Sequence, residues 1–304
     1  MTDHELRYDA LTGEWVAIVG ARQDRPNRPA TACPFCVGGL EAPEPYTVRA
    51  FENRWPPLVP GDAIDLEHDP QEGPFATRPP RGATEVVLYT PEHDGSLATL
   101  GVAGVRAVVD VWAERTAALL ARPEVAYVLV FENRGAEVGA TISHPHGQIY
   151  GFPAVPPLPA REAAIAGAGG CPLCAVVQAE VADGTRLVHD GGDWTALVPF
   201  AAGHPFATLL APRTHVPDLP GLDDAGRDGL AAALVDVVGR YDRLYEAPLP
   251  YLMWIHPGVH LHVHFAPVHR APGVQRYVAS AEVGAAMLFN PVAPEAAARM
   301  LRDA

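Results

Sequence analysis

Two Cys-Pro-x-Cys pairs, Cys33-Pro34-Phe35-Cys36 and Cys171-Pro172-Leu173-Cys174, lie nearly half the chain apart, and each opens the same succession of features. After the first pair comes the apolar strand Thr84-Glu85-Val86-Val87-Leu88-Tyr89-Thr90, which runs into Pro91-Glu92-His93. After the second comes Phe206-Ala207-Thr208-Leu209-Leu210-Ala211, which runs into Pro212-Arg213-Thr214-His215. An amphipathic helix follows in each half. Val105, Val108, Val109 and Trp112 recur at helical spacing, as do Leu230, Leu234, Val237, Val238 and Tyr241. Then comes a β-rich run, Ala126 to Phe131 and Tyr251 to Ile255, and each half closes on an H-x-H, His144-Pro145-His146 and His262-Val263-His264. Matching order over this many features predicts an internal duplication. The order strand, strand, helix, strand, H-x-H strand predicts an α+β fold with an antiparallel sheet and flanking helices in each half. The run Phe152-Pro153-Ala154-Val155-Pro156-Pro157-Leu158-Pro159 is read as a linker, too rich in proline for helix or central strand. It divides the chain into halves 1–158 and 159–304.

A Cys-x-x-Cys turn presents two thiolates on one knuckle, and tetrahedral zinc needs two more N or S ligands from elsewhere. The first half offers Cys33, Cys36, His93 and His144. By the repeat, the second offers Cys171, Cys174, His215 and His262. A redox dithiol is the competing reading, but it requires the motif at a helix N-terminus, and the Pro34 and Gly38-Gly39 around the first pair do not look like one. A different set in the second half, Glu162, His256, His262 and His264, has N and O donors only and suits iron or zinc. Both second-half sets call on His262, and the cysteine set is preferred. His4, His68, His189, His204 and His269 are assigned surface or structural roles.

Composition narrows the chemistry. All 22 basic residues are arginine, so Schiff-base lysines, pyridoxal lysines and P-loop lysines are excluded, and any phosphate chemistry falls to Arg, His, backbone N–H or metal. The net charge of −14, with no basic run, argues against nucleic acid or an anionic membrane as partner. The sequence opens without a secretory leader pattern and contains no apolar run of transmembrane length, so the expected location is the cytoplasm, where four cysteines are not expected to pair as disulfides.

In Ser143-His144-Pro145-His146-Gly147-Gln148-Ile149-Tyr150 the spacing places His144, His146 and Gln148 on one face of an extended segment. Pro145 stiffens the backbone between the two imidazoles, and Gly147 is read as allowing close approach by a ligand. An imidazole can attack phosphorus when one ring nitrogen is held by a fixed acceptor and the other keeps its lone pair. Gln148 supplies an uncharged donor for a phosphoryl oxygen.

Together with Arg7-Tyr8-Asp9-Ala10-Leu11-Thr12-Gly13-Glu14-Trp15-Val16, the Cys33/Cys36 knuckle, Thr90-Pro91-Glu92-His93 and Val130-Phe131-Glu132-Asn133-Arg134-Gly135, this segment makes the chain resemble the galactose-1-phosphate uridylyltransferase family of the histidine triad superfamily over nearly its whole length. The resemblance implies two tandem histidine-triad-like units. It implies that His146 is the nucleophile that takes UMP from UDP-glucose and passes it to galactose 1-phosphate. Gln148, Asn133 and Thr141 are implied as phosphate contacts, with Arg22 and Arg25 near the phosphates and Asn53 on the nucleotide. Arg276 and Glu282 are implied at the acceptor sugar, and a homodimer is implied in which the C-terminal stretch of one subunit completes the other's site. The implied metals are zinc at Cys33, Cys36, His93 and His144, and a second zinc or iron. The sequence departs from the family pattern at Arg54, Ala281 and Leu288, which bear on base and sugar, and has Arg134 and Arg276 where the family often has lysine. Two alternatives remain open: an NDP-sugar phosphorylase resembling the plant ADP-glucose enzyme, which shares the two knuckles, and a zinc-stabilised nucleotide-binding module without turnover.

Overall fold

In a computed structural model of the chain, residues 4–20, 33–167, 170–245 and 247–304 are described. The strands are β1 (His4–Asp9), β2 (Glu14–Val19), β3 (Arg49–Glu52), β4 (Thr77–Arg78), β5 (Ala83–Leu88), β6 (Tyr127–Arg134), β7 (His146–Phe152), β8 (Leu187–Asp190), β9 (Trp194–Leu197), β10 (Thr208–Pro212), β11 (Tyr251–His256), β12 (His262–Pro267), β13 (His269–Ala271) and β14 (Val274–Gln275). The helices are α1 (Leu97–Leu120), α2 (Pro157–Ala166), α3 (Pro172–Asp183), α4 (Asp224–Leu244), α5 (Ser280–Ala285) and α6 (Pro294–Asp303).

The duplication takes the form of one antiparallel nine-stranded sheet in the order β3-β5-β7-β6-β11-β12-β10-β9-β8. The two half-sheets meet edge to edge where β6 pairs with β11, from Tyr251 opposite Arg134 to Ile255 opposite Val130. This seam removes an open edge from each half, the usual liability of an unpaired strand. Strand alternation then sorts the side chains. On one face Val87, Val128, Val130, Ile149, Leu210, Val263 and Phe265 join Val105, Val109 and Trp112 of α1 and Leu230, Leu234 and Tyr241 of α4 in a single buried cluster spanning both halves. The opposite face carries His146, Gln148, Phe131, Trp254, His262 and His264.

Local chemistry sets the helix ends. Ser96 caps α1 in a reciprocal box with Thr99, and Asp223 caps α4 by accepting from the Gly226 amide. Gly101 interrupts the first turns of α1 at φ 66, a conformation open to glycine, so the helix bends before it settles on the sheet. The proline-rich linker is only partly a linker: β7 runs through Phe152, and Pro157-Leu158-Pro159 is the first turn of α2. Proline is acceptable there because the first-turn amides have no intrahelical acceptor. A small separate sheet, β2-β1-β4, packs through Trp15, whose indole N–H donates to the Leu66 carbonyl at 2.7 Å.

Trp112 is fully buried, with its ring 5.7 Å from that of Tyr89. Trp112→Ala is expected to cost about 3–5 kcal/mol of stability, read as a lowered denaturant midpoint in equilibrium unfolding.

Candidate active site and metal centres

Strand β7 delivers His146. Its Nδ1–H donates to the carbonyl of His144 at 2.7 Å, which puts the lone pair on Nε2, and the Phe35 ring lies edge-on to the imidazole at 5.1 Å. His146 forms part of the wall of two cavities. One, of about 610 Å³, is lined by Asn133, Arg134, Thr141, Ser143, Ser96 and Tyr89, among others. The other, of about 530 Å³, has apolar walls of Phe35, Phe51, Val86 and Trp55, with Asn53, Arg54 and Gln148 as polar groups. Thr141 borders both cavities. Gln148 is held in place by the Tyr150 hydroxyl, which donates to Oε1 at 3.3 Å, and by Asn53 Nδ2 at 3.5 Å.

His146, Gln148, Asn53, Asn133 and Thr141 therefore gather at one place. Arg22 and Arg25 lie outside the described residues. Arg276 and Glu282 form a buried ion pair with each other, away from both cavities, and Glu282 also accepts from the amides of Ala279 (2.7 Å) and Phe289 (2.8 Å). The arginines standing at lysine or acidic positions are paired too: Arg134 with Asp242 at 2.6 Å and Arg54 with Glu41 at 2.9 Å.

Gly147 serves a different purpose from the one its motif suggests. A Cβ there would sit 2.1 Å from the Tyr89 hydroxyl, on the helix side of the sheet. The space is filled by Tyr89 reaching across β7.

The first metal set forms as the spacing predicts. Cys33 Sγ lies 3.8 Å from His144 Nδ1, and Cys36 Sγ lies 3.4 Å from His93 Nδ1 and 3.7 Å from His144 Nδ1. Zn–S bonds of about 2.3 Å and Zn–N bonds of about 2.0 Å in a tetrahedron imply S···N edges of about 3.5 Å, so the donors fit zinc. His144 Nε2–H donates to the Thr90 carbonyl at 2.7 Å, which aims Nδ1 at the thiols, and the Tyr46 hydroxyl donates to the Thr90 carbonyl at 2.8 Å and packs against His144. Burial and the neighbouring Cys33 push the Cys36 thiol up, a cost that a divalent cation reverses. Burial likewise holds His144 below its usual value, so it stays neutral, as a ligand must.

The second knuckle corrects one assignment. Cys171, Cys174 and His215 are joined by His260, not His262: His260 Nδ1 is 3.4 Å from Cys171 Sγ and 3.3 Å from Cys174 Sγ, and its Nε2–H donates to the Pro212 carbonyl at 3.0 Å. His260 stands where His144 stands in the first half. Strand register shows why. Gln148 faces Phe131 on β6 as His264 faces Trp254 on β11, so His260-Leu261-His262 matches His144-Pro145-His146. The sequence signal is the run His260-Leu261-His262-Val263-His264, three alternate histidines that offer one more ligand than the H-x-H pair. Cys171 also caps α3, accepting from the Cys174 amide, so this pair does occupy a helix N-terminus, yet its thiols face two imidazoles.

With His262 released, the third set forms as well. Glu162 of α2 takes a hydrogen bond from His256 Nδ1 at 3.1 Å and lies 3.9 Å from His262 Nε2, and His264 completes the group. His262 Nδ1–H donates to the His260 carbonyl at 2.7 Å, the same bond that His146 makes. Burial keeps His262 and His264 below their usual values, so both are neutral donors. Burial works to raise Glu162, yet the His256 hydrogen bond and the nearby imidazoles hold it below its usual value, as an anionic ligand. The donor chemistry is one carboxylate and three imidazoles, distinct from the two thiolate centres.

A strand that fixes an imidazole tautomer between a polar and an apolar cavity is a geometry in which a histidine can meet a phosphorylated ligand. Residues 23–156 match the N-terminal and 164–303 the C-terminal domain model of galactose-1-phosphate uridyl transferase. The galactose-1-phosphate uridylyltransferase of Thermotoga maritima is 38% identical, with 98% of each chain covered. That of Streptomyces lividans is 36% identical over all of this chain and 88% of its own. A solved uridylyltransferase structure superposes with a TM-score of 0.87 at 30% identity, covering 98% of this chain and 97% of that one. The chain belongs to the galactose-1-phosphate uridylyltransferase family.

Metal analysis of the purified chain should find three tightly bound ions, one for each donor set. His260→Ala is expected to remove one ion from a thiolate centre and His264→Ala one from the carboxylate centre. Elemental mass spectrometry of the variants checks this, and a chain binding two ions that His260→Ala leaves unchanged would contradict it.

Proposed function

We propose that the chain moves UMP from UDP-glucose to galactose 1-phosphate by double displacement through a covalent uridylyl-His146. The observation behind this reading is that His146 walls both cavities, with its Nδ1 proton committed to the His144 carbonyl. The nucleoside occupies the cavity walled by Phe35, Phe51 and Val86, whose apolar faces suit a base, with Asn53 nearby. The diphosphate crosses His146 toward Asn133 and Thr141. His146 Nε2 forms a bond to the α-phosphorus while the bond from that phosphorus to the bridging oxygen breaks, and glucose 1-phosphate leaves with the electron pair. A phosphate oxygen of galactose 1-phosphate then attacks the same phosphorus, and the N–P bond breaks to return the lone pair to Nε2. Gln148 donates its amide N–H to the transferred phosphoryl oxygen and, being uncharged, gives no proton to water.

Zinc at the two thiolate centres, and zinc or iron at the carboxylate centre, hold the strands that present these side chains; Cys33, His93 and His144 of the first centre also border the first cavity. Four unpaired cysteines grouped with histidines fit the reducing cytoplasm. No helix among the described residues is long and apolar enough to cross a membrane. The acceptor sugar is completed by a second subunit: the segment organised by Arg276 and Glu282 exposes Tyr277, Val283, Met287 and Phe289 for that contact. The Cys171/Cys174 centre supports a second reading, an NDP-sugar phosphorylase in which free phosphate is the acceptor.

Intact-mass measurement after incubation with UDP-glucose should show a uridylyl adduct, lost in His146→Ala and discharged by galactose 1-phosphate. Discharge by inorganic phosphate instead would select the phosphorylase. Tight nucleotide binding without an adduct would leave a binding module and defeat the transfer reading.

A further inference from the structure

Glu132 and Tyr89 are buried side chains on the helix side of the sheet, on the two strands that flank β7. The Tyr89 hydroxyl occupies the place of a Gly147 side chain, directly behind the backbone that joins His146 to Gln148. Glu132 lies one residue beyond the Phe131–Gln148 pair, and so beside Gly147 from the other strand. The Tyr251 hydroxyl donates to Glu132 Oε1 at 3.0 Å. Glu132 Oε2 and the Tyr89 hydroxyl are both buried without a hydrogen bond of ordinary geometry, although they face one another, and both residues line the 610 Å³ cavity. Buried polar groups set against each other without good hydrogen-bond geometry are uncommon, and such a pair calls for a functional explanation.

We propose that Glu132, acting through the Tyr89 hydroxyl on Gly147, is a positioning residue for His146 and supplies a buried negative charge that favours the nucleotidylated imidazole. The proposal rests on the covalent route above. When His146 Nε2 bonds to phosphorus while Nδ1 keeps its proton, the ring becomes cationic. A carboxylate behind the same strand, screened from water, attracts that charge where none existed in the free enzyme.

The surroundings leave Glu132 able to take either state. Burial pushes its carboxyl up to about 7, opposed by Arg134 and by the hydroxyls of Tyr251 and Tyr89, and Asp242 of α4 adds to the rise. Arg134 is held by Asp242, which also accepts from the Ser96 hydroxyl at 3.0 Å, so this cation is shared between two acids. The sign follows. Below about pH 7 Glu132 is neutral and contributes no charge; above it the carboxylate is present and nucleotidylation is faster.

The test is the rate of His146 uridylylation from UDP-glucose, followed by quenched-flow intact mass between about pH 5.5 and 8.5. The wild-type rate should rise through about pH 7. Glu132→Gln keeps the shape without the charge; it should lose that rise and fall about tenfold at the alkaline end, with the concentration dependence on UDP-glucose unchanged. Tyr89→Phe keeps the ring packed on Trp112 and removes only the hydroxyl; it should shift the rise without abolishing it, and so tests the link even where Glu132→Gln folds poorly. A rise that persists unshifted in both variants would assign it to His146 itself and overturn the proposal, as would a slowed Glu132→Gln with the wild-type pH profile. Absence of any adduct in the wild-type chain would overturn the covalent route first, and this proposal with it.

Discussion

The pairing of β6 with β11 is the interaction on which the rest of the structure depends. Backbone hydrogen bonds along this seam turn two half-sheets into one, and the side-chain alternation of a continuous sheet then holds across both halves. Every chemistry-bearing side chain of the H-x-H strands emerges on one face, and the other face is left to α1 and α4. The core is therefore shared: Trp112 and Val109 from the first half lie in the same cluster as Leu234 and Tyr241 from the second. Each half also keeps a small cluster of its own, Phe35, Ala42, Val86 and Leu88 in the first and Val177, Leu197, Leu209 and Ala211 in the second, but the largest core is common to both.

The seam also shows that one arrangement serves two purposes. In register, Asn133, His146 and Gln148 of the first half correspond to His256, His262 and His264 of the second. In both halves the middle histidine donates Nδ1–H to the carbonyl two residues before it, and the histidine at that earlier position turns to a pair of thiols. The surroundings differ. His146 lines a pair of cavities, whereas His262 lies near Glu162, brought in by α2, in a donor group that could hold a metal ion at the same three sheet positions.

The absence of lysine has a structural counterpart. An arginine fork seeks planar acceptors, and Arg54, Arg134 and Arg276 each find a carboxylate. At these places the arginines are committed to internal pairs, and among the described residues Asn133, Thr141 and Gln148 are neutral donors on the cavity walls near His146. Glu132 is raised chiefly by its burial, and Arg134, which opposes the rise, is itself engaged by Asp242.

Much of this was legible in the residues alone. The duplication, the α+β order, the two long helices, the first cysteine–histidine cluster and the H-P-H-G-Q strand all follow from local signals: periodicity, paired cysteines and alternate histidines. Contacts between distant residues were not legible. The choice of His260 over His262 depends on the register of β12 against β11, which the alternation of three histidines leaves open. The role of Gly147 depends on Tyr89, and the first turn of α2 depends on where β7 ends. The sequence by itself determined which groups are available and which share a strand face, because those are properties of the backbone period. Only the tertiary structure decided which of them meet, because that is set by register and packing between segments far apart in the chain.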